Sequence, residues 1–180
     1  MKKYILLLMS GLLLSNSLSA SALSRTDWVK KAESLSEKNK KSLALQPSHA
    51  EKNLSGSDLS EADLIGAYLD DNTNFSKANM RGIQLIGAHL KYANFSKANL
   101  SEGNSYFAYC FGADFSGADL TNANLSNADL SEANFENANM KNTNLLGSHM
   151  NSKTNFREAT NMSKEQKDYA QSKGASNVPK

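Results

Sequence analysis

The sequence predicts a solenoid of short stacked turns, and three observations lead there. A five-residue unit recurs from about Lys52 to Ser163. Its large apolar residue, and a small residue two places earlier, keep one phase throughout. A period of five fits neither a helix nor a strand, and it is neither a heptad nor an eleven-residue repeat, so a coiled coil is excluded. Something must turn the chain every few residues and always put the same side chains inward. No unit can bury its own leucine, so neighbouring coils must supply the rest of the core.

The elements follow in chain order. Lys2 and Lys3 precede an apolar run, Tyr4 to Leu14, broken only by Ser10 and Gly11, and Ala20 and Ala22 sit as the small residues of a cleavage site. That is the three-part pattern of a secretory signal peptide, expected at residues 1–22. The run is too short to span a bilayer, which needs about 20 residues. The mature chain is expected to have no transmembrane segment and to be exported, to a periplasm or to the outside. Residues 23–51 read as an N-terminal helix and linker. Trp28, Ala32, Leu35, Asn39 and Leu43 share one face, Ser24 is placed as N-cap and Pro47 ends the helix. A capping role for it is favoured over a membrane-surface role, because its polar face is mixed in charge.

The repeat occupies 52–163, in the form Ala-(Asn/Asp)-(Leu/Phe)-X-X. Clean copies are Ala98-Asn99-Leu100, Ala118-Asp119-Leu120 and Ala133-Asn134-Phe135. The central residue can be followed through 22 units, from Leu54 to Asn161, with six-residue steps only at Leu69 to Phe75 and Met150 to Phe156. Cys110 falls on a central position and reads as a small buried hydrophobe. Residues 164–180 read as a closing helix and tail. Ser163-Lys164-Glu165-Gln166 is a capping box, Gly174 is the stop, and Tyr169 and Ala170 face inward.

These units resemble the pentapeptide-repeat family. The resemblance implies an all-β solenoid, a right-handed quadrilateral parallel β-helix with four units per coil. Twenty-two units then make about five and a half coils. At about 4.8 Å per coil the rod is roughly 26 Å long.

Composition bounds the function. The chain has 180 residues, 39% hydrophobic, with one cysteine and a formal net charge of +2. A polytopic membrane protein, a disulfide scaffold and a strongly basic nucleic-acid binder are excluded. Residues 51–162 carry 13 acidic and 8 basic side chains, a net −5. Neither this nor the basic flanks dictates a polyionic partner.

Departures from the repeat locate the candidate site. The residue before the central one is Asn or Asp in 16 of 22 units. Four of the six exceptions are Tyr68, His89, Tyr109 and His149, and their spacing puts them with Asp129 in one column up a single face. Tyr106, Phe107 and Phe111 replace polar residues beside that column, and Tyr92 lies one coil earlier. Two readings stand. The aromatics form a binding patch, or they are structural: the segment slips register and Phe107 turns in to fill space left by Ser105, and Tyr ladders between stacked coils stabilise as cross-strand pairs do. No catalytic residue, cofactor or metal site is expected. His89 and His149 stand three coils apart, about 14 Å, too far to share an ion. Asp129 beside His149 is expected to form at most a surface ion pair.

The function these readings favour is a non-enzymatic, exported scaffold or protein-binding module, a monomer or an end-to-end homodimer, with another protein or an envelope component as partner. The alternative comes from the resemblance. Some family members look like a DNA duplex and bind type II topoisomerases, protecting them from quinolones. The expected export and the modest −5 charge of the repeats oppose it. A duplex carries one charge per about 1.7 Å, several times more over this length.

Overall fold

A computed structural model describes residues 53–69 and 73–180. The expected signal peptide at 1–22, and the helix and linker at 23–51, lie outside the described residues.

Parallel bridges join each unit to the one 20 residues on, as in Asn74 to Asn94 and Asn94 to Asp114. The step is 21 across the two extra residues, as in Asn53 to Asn74 and Asn134 to Asn155. Four units therefore make one square coil, and the chain winds a right-handed quadrilateral parallel β-helix. Face 1 climbs through Asn74, Asn94, Asp114 and Asn134. Face 2 carries Asn79, Asn99, Asp119 and Asn139. Face 3 carries Gln84, Asn104, Asn124 and Asn144. Face 4 carries Tyr68, His89, Tyr109, Asp129 and His149.

Each unit builds one side and one corner. The Asn or Asp supplies the bridge, and the next residue points inward. The corner is closed by a hydrogen bond from the following Ala N–H to the central carbonyl, at 3.0 Å for both Ala78 to Phe75 and Ala98 to Phe95. The third corner residue takes a positive φ, 63° at Gly66, 58° at Lys97 and 59° at Asn122, which makes these type II turns. The Asn or Asp preference has its own cause. The side-chain oxygen accepts the N–H two residues on, at 2.9 Å for Asn94 with Ser96 and 3.0 Å for Asp114 with Ser116. It fixes the entry to the corner as an Asx turn.

Inside, every face has its own column. Phe75, Phe95, Phe115, Phe135 and Phe156 stack beneath face 1 with centroids 4.9–5.0 Å apart and planes within 8°. Offset-stacked rings add about 0.5–1.5 kcal/mol per pair beyond area burial. Beneath face 3, Ile83 takes the small-residue position and is fully buried. One coil on, that position is Gly103, where a Cβ would lie 3.4 Å from Ile83 Cγ2 and 2.9 Å from the Leu100 carbonyl oxygen. A large residue is matched by a missing one.

The last regular bridge is Asn139 to Thr160. Asn161 does not take the inward place that its spacing predicts. It is exposed with φ 57°, and Met162 is buried instead. Helix α1, Lys164–Ser172, then closes the end. Ser163 and Gln166 form the capping box, and Gly174 ends the helix at φ 80°. The buried Gln166 donates from Nε2 to the carbonyls of Met140 (2.9 Å) and Thr143 (2.7 Å). Glu165 lies below the usual carboxylate range because its own backbone N–H and the Ser163 hydroxyl hydrogen-bond it. Its contribution to the cap is thus present at neutral pH and fades as acid protonates it. The tail finally adds a rung to face 1, with Ser176 N–H to Thr154 O at 2.8 Å and Phe156 N–H to Ser176 O at 3.1 Å, covering that open edge.

The Ile83–Gly103 match predicts coupling. Gly103→Ala should destabilise the protein by about 1–3 kcal/mol, the usual cost of overpacking. In an Ile83→Ala background the same change should cost less, the part owed to the Leu100 carbonyl contact remaining. Urea unfolding of the four variants measures this, and equal costs in both backgrounds would show that the two positions do not compensate.

Candidate functional site

The bridges align Tyr68, His89, Tyr109, Asp129 and His149 on face 4, one residue per coil. Three of these rings stack. His89 lies between Tyr68 at 4.2 Å and Tyr109 at 4.7 Å, with interplanar angles of 17° and 24°. Asp129 takes the next rung. Its Oδ1 accepts the Ser131 N–H at 3.1 Å, as the repeat's own Asx turns do. The surface ion pair expected with His149 is not formed among the described residues, and the corner N–H of Ser131 engages only one of the two carboxylate oxygens.

Two corners flank face 4. The corner from face 3 holds Tyr106 and Phe107, whose rings meet edge to face at 4.5 Å. Phe107 does not turn inward. It is 53% exposed, while Ser105 stays buried on its central position. The register is unbroken there, since Ser105 N–H bonds Asn124 O at 2.7 Å and Ala108 N–H bonds Ser105 O at 3.1 Å. The slipped-register account of this segment is therefore wrong: the backbone ladder holds the corner where the period puts it. The corner to face 1 holds Lys91, Tyr92, Phe111 and Gly112. Tyr92 and Phe111 meet edge to face at 5.6 Å, and Lys91 Nζ lies 5.2 Å and 5.3 Å from the two ring centres. Gly112 makes room for Tyr92, since a Cβ there would overlap the edge of the Tyr92 ring.

Sequence reasoning missed three residues of this side. Ile65, Ile86 and Leu146 occupy the same corner as Tyr106 and Phe107, on other coils, and Leu146 is 70% exposed. Writing the chain one coil to a line, 20 residues or 21 across an extra residue, would have aligned them. The large apolar residues exposed among the described residues are Ile65, Tyr68, Tyr92, Tyr106, Phe107, Tyr109 and Leu146. All seven lie on face 4 or its two corners. The other two corners, from 55–56 to 157–158 and from 60–61 to 141–142, hold only Ser, Thr, Gly, Asn, Lys, Arg and Glu. There Arg81 and Glu102 pair at 2.8 Å, both half exposed, a contact that raises the Arg81 pKa and adds little to stability.

Two of the aromatics oppose the backbone's own preference. Phe107 has φ 55° and Tyr92 φ 56°. A bulky L-residue is strained in that region, where glycine or asparagine sits at little cost. An open depression of about 430 Å³ lies between Phe107, Tyr109, Asn127, Asp129, Ser131 and His149. Among the described residues no three His, Cys, Asp or Glu side chains converge to hold a metal, and no helix is long and apolar enough to cross a membrane.

The fold and the ladder of Asn and Asp corners define a class. The chain matches the family of Pentapeptide repeats, in 8 copies, over residues 49–71, 71–104 and 108–147. That is more than half its length, and the chain belongs to this family. It is similar to a pentapeptide repeat protein of the Arabidopsis thaliana thylakoid lumen, at 33% identity over 66% of this chain and 74% of that one, with a TM-score of 0.29. A pentapeptide repeat protein from Nostoc Pcc 7120 is 27% identical over 66% of this chain and 82% of that one, with a TM-score of 0.44. A trypsin-treated form of QnrB1, a plasmid-mediated fluoroquinolone resistance protein, is 25% identical over 59% of this chain and 62% of that one, with a TM-score of 0.36. A comparison with curated proteins returns no match.

If the Phe107 ring does not support the fold, Phe107→Gly should leave stability within about 1 kcal/mol of the parent. Relief of the left-handed strain offsets the lost ring contact and the added chain freedom. A loss above about 2 kcal/mol in urea unfolding, the range of a deleted core side chain, would make the ring structural.

Proposed function

We propose that this protein is an exported, non-enzymatic scaffold that binds another protein or an envelope component through face 4 and its two corners. The segregation of exposed apolar residues supports this reading. The fold needs only polar or glycine corners, and two of the four corners have nothing else. Exposed apolar residues gathered on one side of the rod are what a partner surface requires. The chemistry of that side suits binding rather than turnover. The rings present area and cation-binding faces, and one oxygen of Asp129 is held in a corner hydrogen bond to Ser131 N–H. The topoisomerase alternative has less behind it, because faces 1 and 2 carry more neutral Asn than Asp along the exposed ladders.

The test places a photo-crosslinking amino acid at residue 107, or at residue 99 on the opposite face, in the native cells. Residue 107 should give a discrete crosslinked band in the envelope fraction, and residue 99 should not. Equal crosslinking from both sites, or none from either, would remove the reading. The intact mass of the same product reports export. A chain beginning at Leu23 outside the cytoplasm is expected, and an uncleaved cytoplasmic chain would return topoisomerase binding to first place.

A further inference from the structure

The aromatic column on face 4 skips one rung. Tyr68, His89 and Tyr109 stack ring on ring, and His149 takes the same register two coils above Tyr109. The rung between them belongs to Asp129, whose side chain is too short to cover the outer part of the Tyr109 ring. His89 shows what such a rung can hold, since it fits flat between neighbours at 4.2 Å and 4.7 Å. The rungs of Tyr109 and His149 are two coil spacings apart, about 9.6 Å, room for one flat group. The open depression lies at this place, with Phe107 as one wall.

We infer that this gap is a binding site for a planar cation, the guanidinium of an arginine side chain presented by a partner protein. Three features select that chemistry. A guanidinium is flat and stacks on an aromatic face, which Tyr109 offers uncovered at 53% exposure. Asp129 puts a carboxylate at the floor of the gap. Its Oδ1 is held by Ser131 N–H, and among the described residues no hydrogen bond or ion pair engages its second oxygen. A carboxylate beside a stacked guanidinium is a charge-assisted contact, stronger than a neutral one. Lysine is a compact, strongly hydrated charge and cannot fill a ring-shaped rung.

The inference rests on the reading of face 4 as a partner surface, and the experiment separates the two. The purified chain, labelled with ¹⁵N, is titrated with the peptide acetyl-Gly-Arg-Gly-amide, then with its citrulline and lysine counterparts. The arginine peptide should shift the amide signals of Ser131 and Ala108 and leave those of Asn99 and Asp119, on the opposite face, unmoved. The lysine peptide should bind several-fold more weakly, and the uncharged citrulline peptide should leave the signals still. Asp129→Asn should lower the affinity about tenfold, the value of one charge-assisted contact. It should not unfold the protein, because Asn at this position makes the same Asx turn in neighbouring units. Absence of shifts, equal binding of lysine and arginine, or full affinity in Asp129→Asn would each overturn the guanidinium site. Face-specific crosslinking at residue 107 in that same event would leave the partner surface standing and only its chemistry wrong.

Discussion

One constraint governs this molecule: every residue must meet its counterpart 20 places on, or 21 where the chain carries an extra residue. The parallel bridges enforce this rung by rung. Nearly everything else follows from it. The phenylalanines stack because they recur at that spacing, and Asn, Asp and Gln side chains hydrogen-bond from coil to coil on faces 1, 2 and 3 for the same reason. A five-residue unit would satisfy the corners alone. Only the 20-residue register brings the phenylalanines beneath face 1 into contact, so the interior is four columns, of which that one is sorted most strictly.

That constraint also separates support from display. Side chains on the central and small positions are buried and carry the stability. Side chains on bridge and corner positions project outward and are chosen by a different rule. Most are Asn, Asp, Ser or Gly, which help the backbone turn. On face 4 and its corners that rule is broken, and broken in one direction only. Phe107 and Tyr92 occupy positive-φ positions where their bulk is a burden on the backbone. The rod can tolerate such departures because each corner is local, and strain at one coil is not transmitted far along a ladder of independent turns.

Much of this was legible in the sequence. The period and the phase of Leu, Phe and Ala specify the solenoid, and adding one residue at the six-residue step aligns Tyr68 with His89, Tyr109, Asp129 and His149. The capping box at Ser163 was equally plain, because its residues are contiguous. What the repeat could not reveal was compensation between coils. Gly103 looks like a weak unit until Ile83 is seen to fill its space. Asn161 continues the spacing, yet it turns outward because helix α1 must begin. Leu146 and Ile65 look like ordinary variable corner residues until the coil puts them on the same corner as Phe107, two coils to either side. The fate of Asp129 was hidden for a different reason. Adjacency to His149 does not decide which groups meet the carboxylate, and the backbone N–H of Ser131 engages one of its oxygens.

The register itself can be tested most directly by shortening the rod. Removing residues 105–124 deletes one whole coil and leaves Phe95 beneath Phe135. Removing residues 115–124 deletes half a coil, keeps the five-residue phase, and sends Phe135 to the face opposite Phe95. Urea unfolding of the two variants, side by side, is the decisive measurement. The 20-residue deletion should unfold in one cooperative step and be the more stable of the two, although it is the shorter chain. Equal stability, or greater stability of the half-coil deletion, would mean that the five-residue unit alone holds the fold and that the columns do not.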